Sequence, residues 1–215
     1  MSDQKAQLLQ LLEAVGHKLI GAEKELTDLD SAIGDGDCGS SLKTGWTLIL
    51  EKLPSLTNQT MGGVLTQTGM AIMSSVGGVS GAIYATAFLR AGKKIGPKTE
   101  LTATDAHEAL VAALNGMKER GEGTKVGDKT LVDALEPALE AFGAAAEAGE
   151  PVNAVLEKAL AAARKGSDST IPLVARKGRA SYLGERSVGH RDAGSMVICL
   201  MFEAARDLYT QKEQS

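Results

Sequence analysis

Three aspartates separated by glycines stand close together near residue 35, in the stretch DSAIGDGDCG from Asp30 to Gly39. Mg2+ prefers carboxylate oxygens as ligands, and bound magnesium usually completes its shell with water and substrate phosphates. The stretch offers carboxylates, no histidine and only one cysteine. The glycines permit positive φ angles and close backbone approach. The stretch therefore predicts a magnesium site that takes a phosphate ester, with Asp30, Asp35 and Asp37 as ligands.

The same stretch matches two other patterns that its neighbours exclude. Residues 34–39 spell GxGxxG, but a dinucleotide site follows a strand and holds no anions, whereas ELTDLD precedes this run and two aspartates lie inside it. An EF-hand beginning at Asp35 would need an oxygen ligand at Gly39 and a glutamate at Trp46. A plain Asp/Gly turn before an N-capped helix is the remaining alternative.

Three further segments are rich in glycine and polar residues. Residues 74–81 read SSVGGVSG ahead of a helix, which offers backbone N–H groups and the positive end of a helix dipole to phosphate; an ordinary helix-helix turn is the alternative. Residues 121–130 read GEGTKVGDKT, and Asp128 can cap the next helix. Residues 164–191 carry seven Lys and Arg side chains, which suit phosphate anions or simply balance an acidic surface.

Composition limits the class of protein. The 215 residues carry a net charge of -4, which argues against non-specific nucleic-acid binding. Two cysteines make neither a disulfide framework nor a zinc pattern, and the polar N-terminus is unlike a signal peptide. We therefore expect a cytoplasmic protein without a membrane span, built as one domain over residues 1–215.

The elements that must position these segments are helices. Apolar residues recur at spacings of three and four from Leu8 to Leu19, and similar faces follow along most of the chain. Few aromatic residues and much alanine, leucine and glutamate suit closely packed helices. About eight helices and no strand are predicted, so the fold class is all-α. Short connections favour an antiparallel bundle or closed barrel with the glycine-rich loops at one end.

Together these motifs resemble the nucleotide-binding L subunit of dihydroxyacetone kinases. The resemblance runs from about residue 5 to 207. It rests on the runs LDSAIGDGDCG (29–39), SSVGGVSG (74–81), GDKT (127–130) and ARKGRASYLGERSVGH (175–190).

The resemblance implies an eight-helix antiparallel barrel with ADP or ATP and two Mg2+ ions at one end. It assigns the metals to Asp30, Asp35 and Asp37, in agreement with the interpretation of the loop itself. Phosphate donors would be Ser80 with Gly78 and Val79. The rest of the implied nucleotide site comprises Cys38, Gly39, Ser41, Gly121, Leu131, Arg179 and Asp192, of which Asp192 closes the site.

The resemblance also implies phosphoryl transfer by positioning and charge neutralisation, with no covalent catalytic residue on this subunit. The acceptor would be dihydroxyacetone, or a four-carbon sugar such as erythrulose, held on a separate K subunit. Some relatives keep ADP bound while a phospho-His protein of a phosphotransferase system rephosphorylates it, and others exchange ADP for ATP. Cys38 and Ser41 replace the His and Asn of the first type, which favours direct use of ATP. A regulator that reports nucleotide state to a transcription factor is a further alternative.

Overall fold

The computed structural model describes residues 3–213, and within that range the chain is helical and contains no strand. The all-α prediction is confirmed. The α-helices are α1 (Asp3–Gly21), α2 (Glu23–Ile33), α3 (Cys38–Lys52), α4 (Met61–Ser75), α5 (Gly78–Ile95), α6 (Ala103–Arg120), α7 (Val132–Glu147), α8 (Val152–Ser169) and α9 (Ala193–Glu213). Two 3-10 helices span Leu53–Asn58 and Arg179–Ser187.

Eight of these described α-helices form a closed ring of neighbours. Contacts run from α1 to α3, then in chain order from α3 to α9, and α9 returns to α1. Neighbours in the ring are antiparallel: between α5 and α6, Arg90 pairs with Glu119 at 2.7 Å and Lys94 pairs with Glu108 at 2.9 Å. The ring agrees with the predicted eight-helix barrel. The additional helix, α2, lies outside it against α3, α9 and the second 3-10 helix.

Small residues let the ring helices approach closely. A Cβ added at Gly62 on α4 would lie 2.4 Å from the carbonyl oxygen of Gly96, where α5 ends. Most of the buried apolar side chains of the described residues form one cluster rich in alanine, and Trp46 meets Phe88 edge-on with ring centroids 6.2 Å apart. Close packing of small side chains explains how so few aromatic residues suffice for the core.

The antiparallel ring gathers alternate connections at one end. This end carries residues 34–37, 76–77, 121–131 and 170–192. The opposite end carries the connection from α3 to α4 and the start of α6, where Thr102 and Asp105 form a capping box. The acidic loop and the three other glycine-rich segments therefore lie at the same end, as the bundle interpretation predicted.

No helix within residues 3–213 combines the length and the apolar character needed to cross a membrane.

Candidate metal and nucleotide site

The three predicted metal ligands meet in space. Ligand atoms of Asp30, Asp35 and Asp37 all lie within 4.8 Å of one another. Asp30 lies in the last turn of α2, Asp35 in the connecting loop and Asp37 immediately before α3, where its side chain makes no capping hydrogen bond. The Asp37 carboxylate is thus not used as a helix cap, and an all-oxygen set of this kind fits a hard divalent cation such as Mg2+.

Glycines hold the acidic loop in its tight path. Gly36 has φ 76°, and a Cβ there would lie 2.6 Å from the hydroxyl oxygen of Ser31. The backbone N–H of Cys38 donates to Oδ2 of Asp30 at 3.2 Å, which ties the start of α3 to the end of α2. Gly39 is buried, and a Cβ there would meet the Glu23 carbonyl oxygen at 2.1 Å. The loop geometry therefore depends on α2 and α3 lying almost in contact.

The charge balance of this cluster favours a cation. Burial, followed by the neighbouring charges of Asp35 and Asp30, raises the pKa of Asp37 above its usual value. Nε of Arg179 contacts Oδ2 of Asp35 at 2.8 Å and offsets part of this repulsion. The predicted nucleotide residue Arg179 is therefore next to the predicted metal ligands.

Cys38 and Ser41 lie in the first turn of α3, beside the acidic loop. Burial and then the Asp30 carboxylate raise the pKa of the Cys38 thiol to about 12, so this thiol stays protonated at neutral pH. The backbone N–H of Ser41 donates to the Asp37 carbonyl oxygen at 2.9 Å. Gly39, another predicted nucleotide residue, lies between them. The close contact of α2 and α3 explains why this position holds a glycine.

The turn within the glycine/serine segment, residues 74–81, is shorter than predicted. The helix was expected to begin at Ala82, but α5 begins at Gly78, and only residues 76–77 separate it from α4. Glycine and serine fit a first turn because its N–H groups need no acceptor within the helix. No side-chain hydrogen bond caps α5, and Gly78, Val79 and Ser80 are exposed. Donors for an anion are thus present at this helix start.

Asp192 directly precedes α9 at the same end of the ring. Its Oδ2 accepts a hydrogen bond from the Ser195 backbone N–H at 2.6 Å, which caps the helix. Burial raises the pKa of Asp192 to about 7, against the lowering effect of the Ser195 hydrogen bond. The charge of Asp30 contributes to the increase, which links Asp192 electrostatically to the metal loop.

The two other predicted nucleotide residues also belong to this end. Gly121 directly follows α6, and Leu131 directly precedes α7. A Cβ added at Gly194 would lie 3.4 Å from Cβ of Leu131 and 3.1 Å from Oδ2 of Asp192. Leu131 is therefore beside Asp192, whereas Gly121 lies at the start of the 121–131 connection.

The basic side chains between residues 164 and 191 do not form one patch. Arg164 pairs with Glu203 at 2.9 Å, between α8 and α9. Arg191 pairs with Asp168 at 2.6 Å. Arg179 is the one of these three arginines that lies at the acidic loop, where it pairs with Asp35, and its binding of phosphate stays a prediction.

The sequence interpretation misplaced one aspartate and missed two buried charges. Asp128 does not cap α7; it accepts a hydrogen bond from the Lys125 N–H at 3.0 Å. The Thr130 N–H donates instead to Asp133 at 2.7 Å, and both Asp133 and Lys129 are 1% exposed. Lys129 looked like part of a polar loop. The signal that could have found Asp133 is a carboxylate inside the apolar run that begins α7.

Known proteins align with the chain over most of its length. A family model described as the DAK2 domain matches residues 32–207. The ADP-binding subunit DhaL of a PEP-dependent dihydroxyacetone kinase from Escherichia coli (strain K12) is 36% identical over 203 residues, covering 94% of this chain and 96% of the relative. The ADP-binding subunit DhaL of a PTS-dependent dihydroxyacetone kinase from Lactococcus lactis is 34% identical, covering 83% and 84% respectively.

A solved structure shares the fold. The dihydroxyacetone kinase from C. freundii in complex with AMP-PNP and Mg2+ superposes with a TM-score of 0.74 at 27% identity. The match covers 97% of this chain and 34% of that kinase, so the chain spans about a third of the solved enzyme. On the evidence of the family model and of these relatives, the chain belongs to the DAK2-domain family, which includes the ADP-binding DhaL subunits of dihydroxyacetone kinases.

Proposed function

We propose that this protein is the nucleotide-carrying subunit of a dihydroxyacetone kinase, which holds ADP or ATP with Mg2+ and passes the γ-phosphoryl group of ATP to dihydroxyacetone bound on a separate K subunit, leaving ADP. The observation that carries the proposal is the convergence of Asp30, Asp35 and Asp37 within 4.8 Å, at the ring end that also presents the uncapped start of α5. Carboxylates for a metal and N–H donors for phosphate are the two parts of a Mg-nucleotide site outside the Walker framework.

Each part of the site has a distinct task in this proposal. The three carboxylates would hold the magnesium, for which we propose two ions. When bound, Mg2+ supplies charge neutralisation at the β- and γ-phosphates. The N–H groups of Gly78, Val79 and Ser80 donate to phosphate oxygens, and Arg179 leaves Asp35 to pair with the nucleotide. The walls of the nucleotide site are completed by Cys38, Gly39, Ser41, Gly121, Leu131 and Asp192.

We favour a phosphoprotein as the source of the phosphoryl group. The chain covers nearly the whole length of relatives described as PEP-dependent or PTS-dependent and as ADP-binding. In such an arrangement ADP stays in place as a coenzyme, and a phospho-His protein regenerates ATP on the subunit. This order of preference differs from the expectation based on Cys38 and Ser41.

Direct exchange of ADP for ATP is the second candidate, and the residues at positions 38 and 41 favour it. Cys38 is half-buried beside the acidic loop, and a protonated thiol there donates more weakly to a nucleotide than an imidazole would. Weaker retention of ADP would allow free ATP to enter.

Reconstitution distinguishes the two donors. The protein is mixed with a K subunit and dihydroxyacetone, then supplied either with ATP or with phosphoenolpyruvate and a phosphotransferase-system extract. Formation of dihydroxyacetone phosphate is measured. The proposal expects product with phosphoenolpyruvate in far greater amount than with ATP alone. Product with ATP alone at an equal rate supports the second candidate, and no product under either condition contradicts both.

A further inference from the structure

Lys129 is a charged side chain enclosed within the protein. It is 1% exposed, and its backbone adopts the left-handed conformation with φ 63°. That conformation is disfavoured for any residue with a Cβ, and a buried ammonium group is unfavourable unless its donors are satisfied. Its contacts therefore indicate what the fold gains from this residue.

The ammonium group of Lys129 joins the two ends of one connection. Nζ donates to the carbonyl oxygen of Thr170 at 2.6 Å and also to that of His190. Thr170 follows α8 and His190 nearly reaches α9, so one side chain holds both ends of the 170–192 segment. That segment carries Arg179, which contacts the metal loop, and Asp192, which caps α9.

Backbone groups reinforce the same junction. The Asp192 N–H donates to the hydroxyl oxygen of Thr170 at 3.1 Å, and the Gly189 N–H donates to the Ile171 carbonyl oxygen at 2.8 Å. Near the start of the segment, the Arg176 N–H donates to the Asp128 carbonyl oxygen at 3.1 Å. The 170–192 segment is thus closed into a loop whose base is attached to the 121–131 connection.

A buried carboxylate fixes the turn from which Lys129 projects. Oδ1 of Asp133 accepts the Gly127 N–H at 2.6 Å, and Oδ2 accepts the Thr130 N–H at 2.7 Å. Burial lowers the pKa of Lys129, while the Asp192 and Asp133 carboxylates act in the opposite direction. The ammonium group therefore has opposite charges near it as well as two carbonyl acceptors.

We propose that Lys129 is a positioning residue for the nucleotide: by holding both ends of the 170–192 segment, it places Arg179 and Asp192 at the metal loop before the nucleotide binds. Lys129 itself is too buried to contact the ligand. This inference rests on the proposed function for its ligand, Mg-ADP, but the placement of the segment can be measured without any ligand.

The test compares Lys129→Met with the parent protein. Methionine is of similar length but has no charge and no donor, so both carbonyls lose the hydrogen bond from Lys129, and Thr170 keeps only the one from the Leu173 N–H at 3.2 Å. Trypsin can cleave after Arg176, Lys177, Arg179 and Arg186, and we expect cleavage in this segment to accelerate about ten-fold or more at a temperature where the variant is folded. The Kd for Mg-ADP should rise by a similar factor. Mn2+ binding without nucleotide should not weaken, because the metal ligands lie on α2 and in the loop to α3, and release of Arg179 only removes a competing positive charge from Asp35.

Met61→Ala is the matched control for general destabilisation. Met61 is also 1% exposed, but it begins α4 at the opposite end of the ring. Its truncation leaves a cavity that weakens the fold without touching the 170–192 segment. The inference is overturned if Lys129→Met keeps the parental cleavage pattern and Kd, or if both variants change in proportion to their loss of stability. Failure of the parent to bind Mg-ADP would instead contradict the proposed function, and the cleavage comparison would still decide the role of Lys129.

Hydrogen exchange on the parent protein tests the inference even if Lys129→Met does not fold. Without nucleotide, the amides of Gly189 and Asp192 should exchange as slowly as amides in the middle of α7 and α8. Exchange at the rate of an unstructured peptide would show that the segment is not held in place, and would overturn the inference.

Discussion

At the scale of single residues, the proposed site concentrates negative charge and leaves it partly uncompensated. The carboxylates of Asp30, Asp35 and Asp37 lie within 4.8 Å, and the pKa of Asp37 is raised by burial and by its neighbours. Such a cluster is unfavourable by itself and becomes favourable when a cation binds. The affinity of the site should therefore depend on each carboxylate.

Asp35→Asn should weaken Mg-ADP binding by more than about ten-fold while leaving helical content unchanged, because one anionic ligand becomes a neutral amide. Isothermal titration and circular dichroism measure the two effects. Asp28→Asn is the matched control, since Asp28 lies on the same α2 but is exposed and pairs with Lys24. Parental binding by Asp35→Asn would show that the metal ligands are assigned incorrectly.

Asp192 should give the nucleotide-free protein a distinct pH dependence. Its pKa of about 7 in the folded state exceeds that of an unfolded aspartate, so the folded state holds the proton more tightly. Raising the pH from 5 to 8 should therefore lower the free energy of unfolding, by on the order of 2–3 kcal/mol from this group.

Asp192→Asn should remove this group's contribution to the pH dependence of the free energy of unfolding. Asparagine caps a helix about as well as aspartate does, so the Ser195 N–H keeps its acceptor, but no proton is lost. Urea unfolding of both proteins at pH 5 and pH 8 measures the difference. An equal change in the free energy of unfolding between pH 5 and pH 8 for parent and variant would contradict the raised pKa of Asp192.

At the scale of elements, the acidic loop is shaped by the contact between α2 and α3. A Cβ at Gly39 would lie 2.1 Å from the Glu23 carbonyl oxygen, a backbone atom that can move only if α2 moves. Asp30 is on α2 and Asp37 immediately precedes α3. A change in this helix contact would therefore separate the metal ligands.

Gly39→Ala should destabilise the protein by roughly 1–3 kcal/mol and weaken Mg-ADP binding, because α2 must shift away from α3. Gly21→Ala is the control: it also lies in a helix, but nothing lies within 4 Å of an added Cβ. That variant should be neutral or gain up to about 1 kcal/mol from helix propensity. Thermal unfolding and titration measure both. A stable Gly39→Ala variant with parental affinity would contradict this account of the loop.

Local signals in the sequence were sufficient for some elements and insufficient for others. The capping box at Thr102 and the clustering of three carboxylates around Asp35 were predictable because both depend on residues only a few positions apart. The start of α5 was placed too late, since glycine and serine are ambiguous between a turn and a first helical turn. The roles of Lys129 and Asp133 depend on partners brought together by the fold, and no nearby pattern indicates them.

At the scale of the whole molecule, an antiparallel ring brings four distant connections to one end. The sequence predicted the all-α class and an end where the glycine-rich loops gather. The closure of α9 onto α1 is a long-range contact that periodicity cannot show. The prediction of one domain over residues 1–215 and the nucleotide-contacting residues stay predictions.

The nucleotide content of the purified protein tests the central claim most directly. The protein is denatured, the released nucleotide is identified by chromatography, and labelled ATP with Mg2+ is offered in parallel to the native protein to measure exchange. We expect about one ADP per chain, which exchanges slowly with ATP. Rapid exchange would support the ATP-dependent candidate in place of the phosphoprotein route. A protein that neither retains ADP nor binds any adenine nucleotide in the presence of Mg2+ would contradict the account.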